Sequence, residues 1–111
     1  MNWIALTDSR QLDSIRERSF SQPQVIFKHS TRCSISSIAK SRLERSEAPA
    51  GVDFYYLDLI AHRDLSNKIA EDFKVWHESP QLILVRNGES SYDESHSGIS
   101  MDELKEELDR A

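Results

Sequence analysis

Two short uninterrupted apolar runs, Val25-Ile26-Phe27 and Leu82-Ile83-Leu84-Val85, constrain this chain more than any other feature. A strand with one face in water alternates apolar and polar residues, whereas a strand apolar throughout must be covered on both faces. The segments around the two runs carry a different period. Leu12, Ile15, Ser19 and Phe20 fall near helical spacing, as do Ile35, Ile38, Ala39 and Leu43, and again Leu65, Ile69, Ala70 and Phe73. Each set gives one apolar stripe, which predicts amphipathic helices laid over a buried sheet.

The remaining elements follow from punctuation. Trp3-Ile4-Ala5-Leu6 reads as a short strand, ended by Thr7-Asp8 as a helix start. Pro23 closes the first helix, Ser30 or Thr31 is placed to cap the second, and Pro49-Ala50-Gly51 stops it. Phe54 to Leu59 is rich in aromatic residues that favour strands. Asn87-Gly88 after the second apolar run predicts a tight hairpin, because both residues tolerate positive φ, so Ser90 to Tyr92 should return antiparallel. Ser100 and Glu103 form a capping box ahead of Met101, Leu104 and Leu108. The order is three strand–helix pairs, then two strands and a helix. That order predicts an α/β protein with a central mixed sheet flanked by helices on both faces, the element order of the thioredoxin fold.

At 111 residues, the expectation is one domain, residues 1–111, able to bury a core without disulfides or a structural metal. A net charge of −5, with Lys and Arg scattered, argues against nucleic-acid binding. No apolar run reaches membrane-span or signal-peptide length, so the expectation is a cytoplasmic protein without a membrane partner. The single cysteine, Cys33, has no internal disulfide partner and rests reduced in such a compartment.

Cys33 is the centre of the chemistry. Most lone cysteines are small buried hydrophobes, but this one follows a buried strand by a few polar residues and falls at a helix start. Unpaired backbone N–H groups and the helix dipole there favour an anion, and Arg32 adds positive charge. For any thiol, a pKa drop from about 8.5 to about 7 raises the thiolate fraction about sixteenfold at neutral pH, while nucleophilicity falls about fivefold. The net gain in attack is only about threefold. The larger benefit is a better leaving group, which suits reversible exchange. Ser36 stands three residues on, where a two-cysteine oxidoreductase carries its second sulfur. A serine cannot resolve a disulfide, though its hydroxyl or N–H is able to donate to a thiolate. The resolving thiol therefore comes from outside. Pro80, opening the second apolar run, is expected to be a cis-proline facing Cys33, leaving the backbone of Ser79 free to pair with substrate.

The stretches HSTRCSISS, FYYLDL and HESPQ, and the S-H-S element at Ser95 to Ser97, resemble the monothiol bacilliredoxins of the YtxJ type, thioredoxin-like proteins of the bacillithiol system. The resemblance spans nearly the whole chain. It implies a monothiol, glutaredoxin-like thiol-disulfide exchange enzyme that removes bacillithiol from S-thiolated client proteins in the cytosol. Cys33 is then the catalytic nucleophile, with Thr31, Arg32, Ser34 and Ser36 as its motif and thiolate support. Ser79 and Pro80, with His77 and His96 beside them, form the substrate-binding set. No bound cofactor is implied, since bacillithiol acts as co-substrate, and the expected state is a monomer.

Other functions leave weaker marks. His29, His62, His77 and His96 are dispersed and give no metal-ligand spacing. Iron–sulfur carriage by a dimer would supply two protein thiolates where four are usual, and the C-G-F-S run of such carriers is missing. A non-enzymatic binding or redox-sensing domain is the alternative, and turnover at Cys33 separates the two.

Overall fold

The apolar run around Ile26 lies in the second strand of a five-stranded mixed sheet, in a computed structural model that describes residues 1–110. The elements in chain order are β1 (Trp3–Ala5), α1 (Arg10–Arg18), β2 (Gln24–His29), α2 (Ser34–Arg45), β3 (Asp53–Asp58), α3 (Arg63–Asp72), β4 (Gln81–Arg86), β5 (Glu89–Ser95), a 3-10 turn (His96–Gly98) and α4 (Met101–Asp109). The strand order is β1-β3-β2-β4-β5. β1 and β2 run parallel to β3, whereas β4 runs antiparallel to both β2 and β5.

Strand alternation divides the buried side chains between the two faces. On one face Ile26, Tyr55, Leu57, Ile83 and Val85 pack with Leu12 and Ile15 of α1 and Leu65 and Ile69 of α3. On the other, Val25, Phe27, Phe54, Leu82 and Leu84 pack with Ala39 and Leu43 of α2 and Met101 and Leu104 of α4. The continuous apolar runs thus lie in central strands covered by helices on both faces. Among the described residues, no helix is long and apolar enough to cross a membrane.

The hairpin takes the expected form. Asn87 and Gly88 have φ of 53° and 81°, the sign pattern of a type I′ turn. A Cβ at Gly88 would lie 2.8 Å from the Phe20 ring, so this glycine also answers a close approach. That contact explains Phe20, which lies beyond the end of α1 and is mostly exposed instead of lining the helix's buried stripe.

Several local expectations are corrected. The N-cap of α2 is Cys33, not Ser30 or Thr31, because Ser30 accepts the Cys33 N–H at 3.1 Å and closes a turn before the helix begins. The buried stripe of α2 is Ser36, Ala39 and Leu43, and Ile35 and Ile38 are exposed. At α1, the Asp8 carboxylate accepts the Arg10 N–H at 2.8 Å, although Ser9 holds the formal cap position. The Ser100 hydroxyl accepts the Glu103 N–H at 3.3 Å, but the Glu103 carboxylate takes a hydrogen bond from Tyr92 instead of returning to Ser100, so only half of the capping box forms.

Candidate functional site

The register of β2 against β4 brings the two halves of the site to one edge of the sheet. Lys28 pairs with Gln81, so the chain leaving β2 toward Cys33 emerges beside the chain that enters β4 from Ser79 and Pro80. Cys33 is half-buried, unpaired and extended, with φ −106° and ψ 121°, and its carbonyl accepts the Ser37 N–H at 3.1 Å as α2 starts. Thr31, Arg32 and Ser34 are exposed around it. The Ser79–Pro80 peptide bond is cis. Pro80 is buried, Ser79 is half-buried, and among the described residues neither the N–H nor the carbonyl of Ser79 enters a backbone hydrogen bond.

Ser36 does not address the sulfur. Its side chain is fully buried, accepts the Ser30 N–H at 3.0 Å and lies 2.6 Å from Nδ1 of His29. Together with the Cys33 N–H on the Ser30 carbonyl, these contacts tie the loop from β2 to α2 into one unit, so the serine shapes the Cys33 turn and leaves the thiol free. His29 is stacked on Phe27, with ring centroids 5.9 Å apart, and meets the tilted ring of Tyr56 at 5.5 Å. Burial, and then the ammonium of Lys40, hold its pKa below the ordinary histidine value. A neutral His29 at physiological pH follows.

His96 has φ of 54°, and its N–H donates to the Pro80 carbonyl at 3.1 Å. Its Nε2 sits 2.9 Å from the Glu78 carboxylate. The 3-10 turn that carries it packs on α2, and His96 and Ser97 line an open trough of about 580 Å³ with Ile35, Ile38, Ala39 and Arg42. The trough begins two residues beyond Cys33. His77 is exposed overall, but its Nδ1 turns inward, 3.4 Å from the ammonium of Lys28 and 3.2 Å from the Ser66 hydroxyl. Of the residues expected at the site, Cys33, Ser36, Ser79, Pro80 and His96 therefore gather at one edge, and His77 anchors the same loop from beneath.

Sequence reasoning missed His29, Lys28 and the trough. The first two lie in β2, which was expected to stop at Phe27; a central strand paired over six residues with β3 carries both inside. The pair of exposed isoleucines was visible but assigned to the core. Among the described residues, no group of three or more His, Cys, Asp and Glu side chains is placed to hold a metal ion.

A thioredoxin fold with a lone accessible cysteine at a helix start and a cis-proline at the same edge defines a thiol oxidoreductase of the thioredoxin-like class. A solved structure provisionally described as an oxidoreductase with a thioredoxin fold is similar over 95% of this chain and 92% of its own, at 31% identity and a TM-score of 0.83. Thioredoxin from Trypanosoma brucei brucei matches over 96% of this chain and 88% of its own, at 17% identity and a TM-score of 0.72. Thioredoxin O2 from Arabidopsis thaliana in its oxidised state matches over 97% and 95%, at 20% identity and a TM-score of 0.71. The last two establish the fold alone. The family model described as "Monothiol bacilliredoxin BrxC" matches residues 4–104, and the chain belongs to that family.

Proposed function

We propose that the protein removes bacillithiol from S-thiolated client proteins by disulfide exchange at Cys33. The observation that carries this reading is the pairing of a single half-buried sulfur at the start of α2 with a buried, fully engaged serine at position 36. No second thiol is at hand, and the serine stabilises the turn without competing for the sulfur. The Cys33 thiolate attacks the bacillithiol sulfur of the mixed disulfide, and the client thiolate leaves and takes a proton. The bacillithiol is now bonded to Cys33. A second bacillithiol thiolate attacks that sulfur, restores the Cys33 thiolate and departs as bacillithiol disulfide. The client sulfur returns to the thiol level as the incoming bacillithiol sulfur is oxidised to the disulfide level, while the first bacillithiol sulfur stays at the disulfide level throughout.

Client recognition fits the surroundings of the sulfur. The free backbone groups of Ser79 suit an extended client segment, which pairs with them as an added strand would. The trough lined by Ile35 and Ile38 receives an apolar side chain beside the thiolated cysteine, with His96 at its rim. The cytosol, where such mixed disulfides are reduced, is the compartment for this reaction.

Intact mass spectrometry tests the first step. Reduced protein treated with bacillithiol disulfide should gain one bacillithiol on Cys33; reaction with glutathione or coenzyme A disulfides but not with bacillithiol disulfide would assign a different small thiol. Cys33→Ser should abolish turnover of a bacillithiolated test protein. Unchanged turnover would leave only a binding or sensing role.

A further inference from the structure

Lys28 is the only Lys, Arg, Asp or Glu among the described residues with no measurable exposure, at 0%. Within the same residues no carboxylate lies within 4.0 Å of its ammonium. Its hydrogen bonds go instead to the Ser66 carbonyl at 3.3 Å and Nδ1 of His77 at 3.4 Å. An ammonium only donates, so Nδ1 must be unprotonated, and the Ser66 hydroxyl at 3.2 Å then donates to the same nitrogen. The contact fixes one tautomer of His77, with its proton on Nε2. Three elements meet at this point: β2, α3 and the loop that ends in the cis-proline. The loop is held a second time one residue earlier, where the Gln81 amide donates to the Trp76 carbonyl at 2.9 Å.

A buried ammonium without a counter-ion weakens a fold, and removing it from water pulls the pKa of Lys28 down to about 8. Stability therefore does not account for it. We infer that Lys28 is a positioning residue for thiol exchange: through Nδ1 of His77 it sets the shape of the Trp76–Pro80 loop that receives the client chain. The inference rests on the exchange reaction proposed above and assigns its client-binding step to a residue outside the cysteine motif.

The contact also makes the loop sensitive to acid. His77 faces the positive charges of Lys28 and Arg63 and the negative charge of Glu78, which is itself bonded to His96. Burial first, then Lys28 and Arg63, keep His77 neutral to a lower pH than an ordinary histidine. Once Nδ1 takes a proton it opposes the ammonium and loses both donors. The loop then keeps only its Gln81 anchor, and client binding weakens below that pH.

Four variants test this, Lys28→Met, His77→Ala, His77→Asn and the double variant Lys28→Met/His77→Ala, with a bacillithiolated test protein as substrate and bacillithiol as reductant. Lys28→Met and His77→Ala should each raise KM about tenfold with little change in kcat, while the alkylation rate of Cys33 by iodoacetamide stays within about twofold. The double variant should lose no more than either single one, because both break the same contact. His77→Asn places an amide oxygen near the position of Nδ1, so it should recover most of the KM that His77→Ala loses, and its KM should no longer rise toward acid pH. Wild-type KM in Lys28→Met, additive losses, or a parallel fall in alkylation would overturn the assignment. Should Lys28→Met not fold, the two His77 variants decide by the same criteria. Undiminished exchange by Cys33→Ser would instead remove the underlying reaction, a result distinct from all of these.

Discussion

Replacing Lys28 by methionine should make the protein more stable, and the size of the effect follows from its environment. Lowering a lysine from 10.5 to about 8 means that holding the charge inside costs about 3 kcal/mol at neutral pH. Methionine fills nearly the same space without charge. The two contacts it loses are long, at 3.3 and 3.4 Å, and together contribute roughly 1–2 kcal/mol. The net expectation at pH 7 is a gain of about 1–2 kcal/mol, or roughly 5 °C in Tm. The sign reverses with pH in a defined window. Below about 8 lysine is protonated in both folded and unfolded chains and the whole penalty is present. Between about 8 and 10.5 the unfolded chain binds more protons, so wild-type stability rises with pH. The advantage of Lys28→Met should therefore shrink by about 2 kcal/mol between pH 7.5 and 9.5. Urea titrations of both proteins across that range measure it, and titrating groups common to the two cancel in the difference. Parallel pH dependences, or a methionine variant less stable by more than about 1 kcal/mol at pH 7, would refute the reasoning.

Three further outcomes are expected. Ser36→Ala leaves the half-buried Ser30 N–H and the buried His29 Nδ1 without their partner, and should cost about 1–3 kcal/mol in urea denaturation and slow exchange by disordering the Cys33 turn. Gly88→Ala places a Cβ 2.8 Å from the Phe20 ring at φ 81°, and should lower stability by about 1–3 kcal/mol, read as a drop in Tm. Ile38→Ser alters a side chain that is 58% exposed, so stability should hold within about 0.5 kcal/mol while the rate on a thiolated protein falls severalfold and the rate on a small disulfide does not.

The fold was legible because its signals were strong and local. Continuous apolar runs marked β2 and β4, and Asn87-Gly88 fixed a hairpin whose backbone geometry few other residue pairs tolerate. The cysteine, the proline and the serine between them stood out by position. The missed features share a physical cause: polar side chains satisfied inside the protein. Lys28 and His29 read as the solvated end of a strand, yet β2 lies between β3 and β4, and their partners come from Ser66, His77 and Ser36, residues remote in sequence or themselves polar. Ser36 shifted the phase of α2 for the same reason. A stripe counted from apolar residues selects Ile35 and Ile38, whereas the helix turns a hydrogen-bonded serine inward and leaves those isoleucines facing the trough. A strand length matched to its neighbours would have recovered Lys28 and His29; nothing local would have recovered the serine's partners.

The two halves of the site are rooted in different cores. Cys33 begins a helix seated by Ala39 and Leu43 on one face of the sheet, while the loop ending at Pro80 leaves through Phe73 and Val75, embedded on the other. The sheet between them works like the pivot of a pair of pliers, with each jaw mounted on its own handle. Refitting one handle changes which proteins are grasped while the sulfur keeps its edge, so client range and chemical reactivity can diverge separately in descendants of this chain.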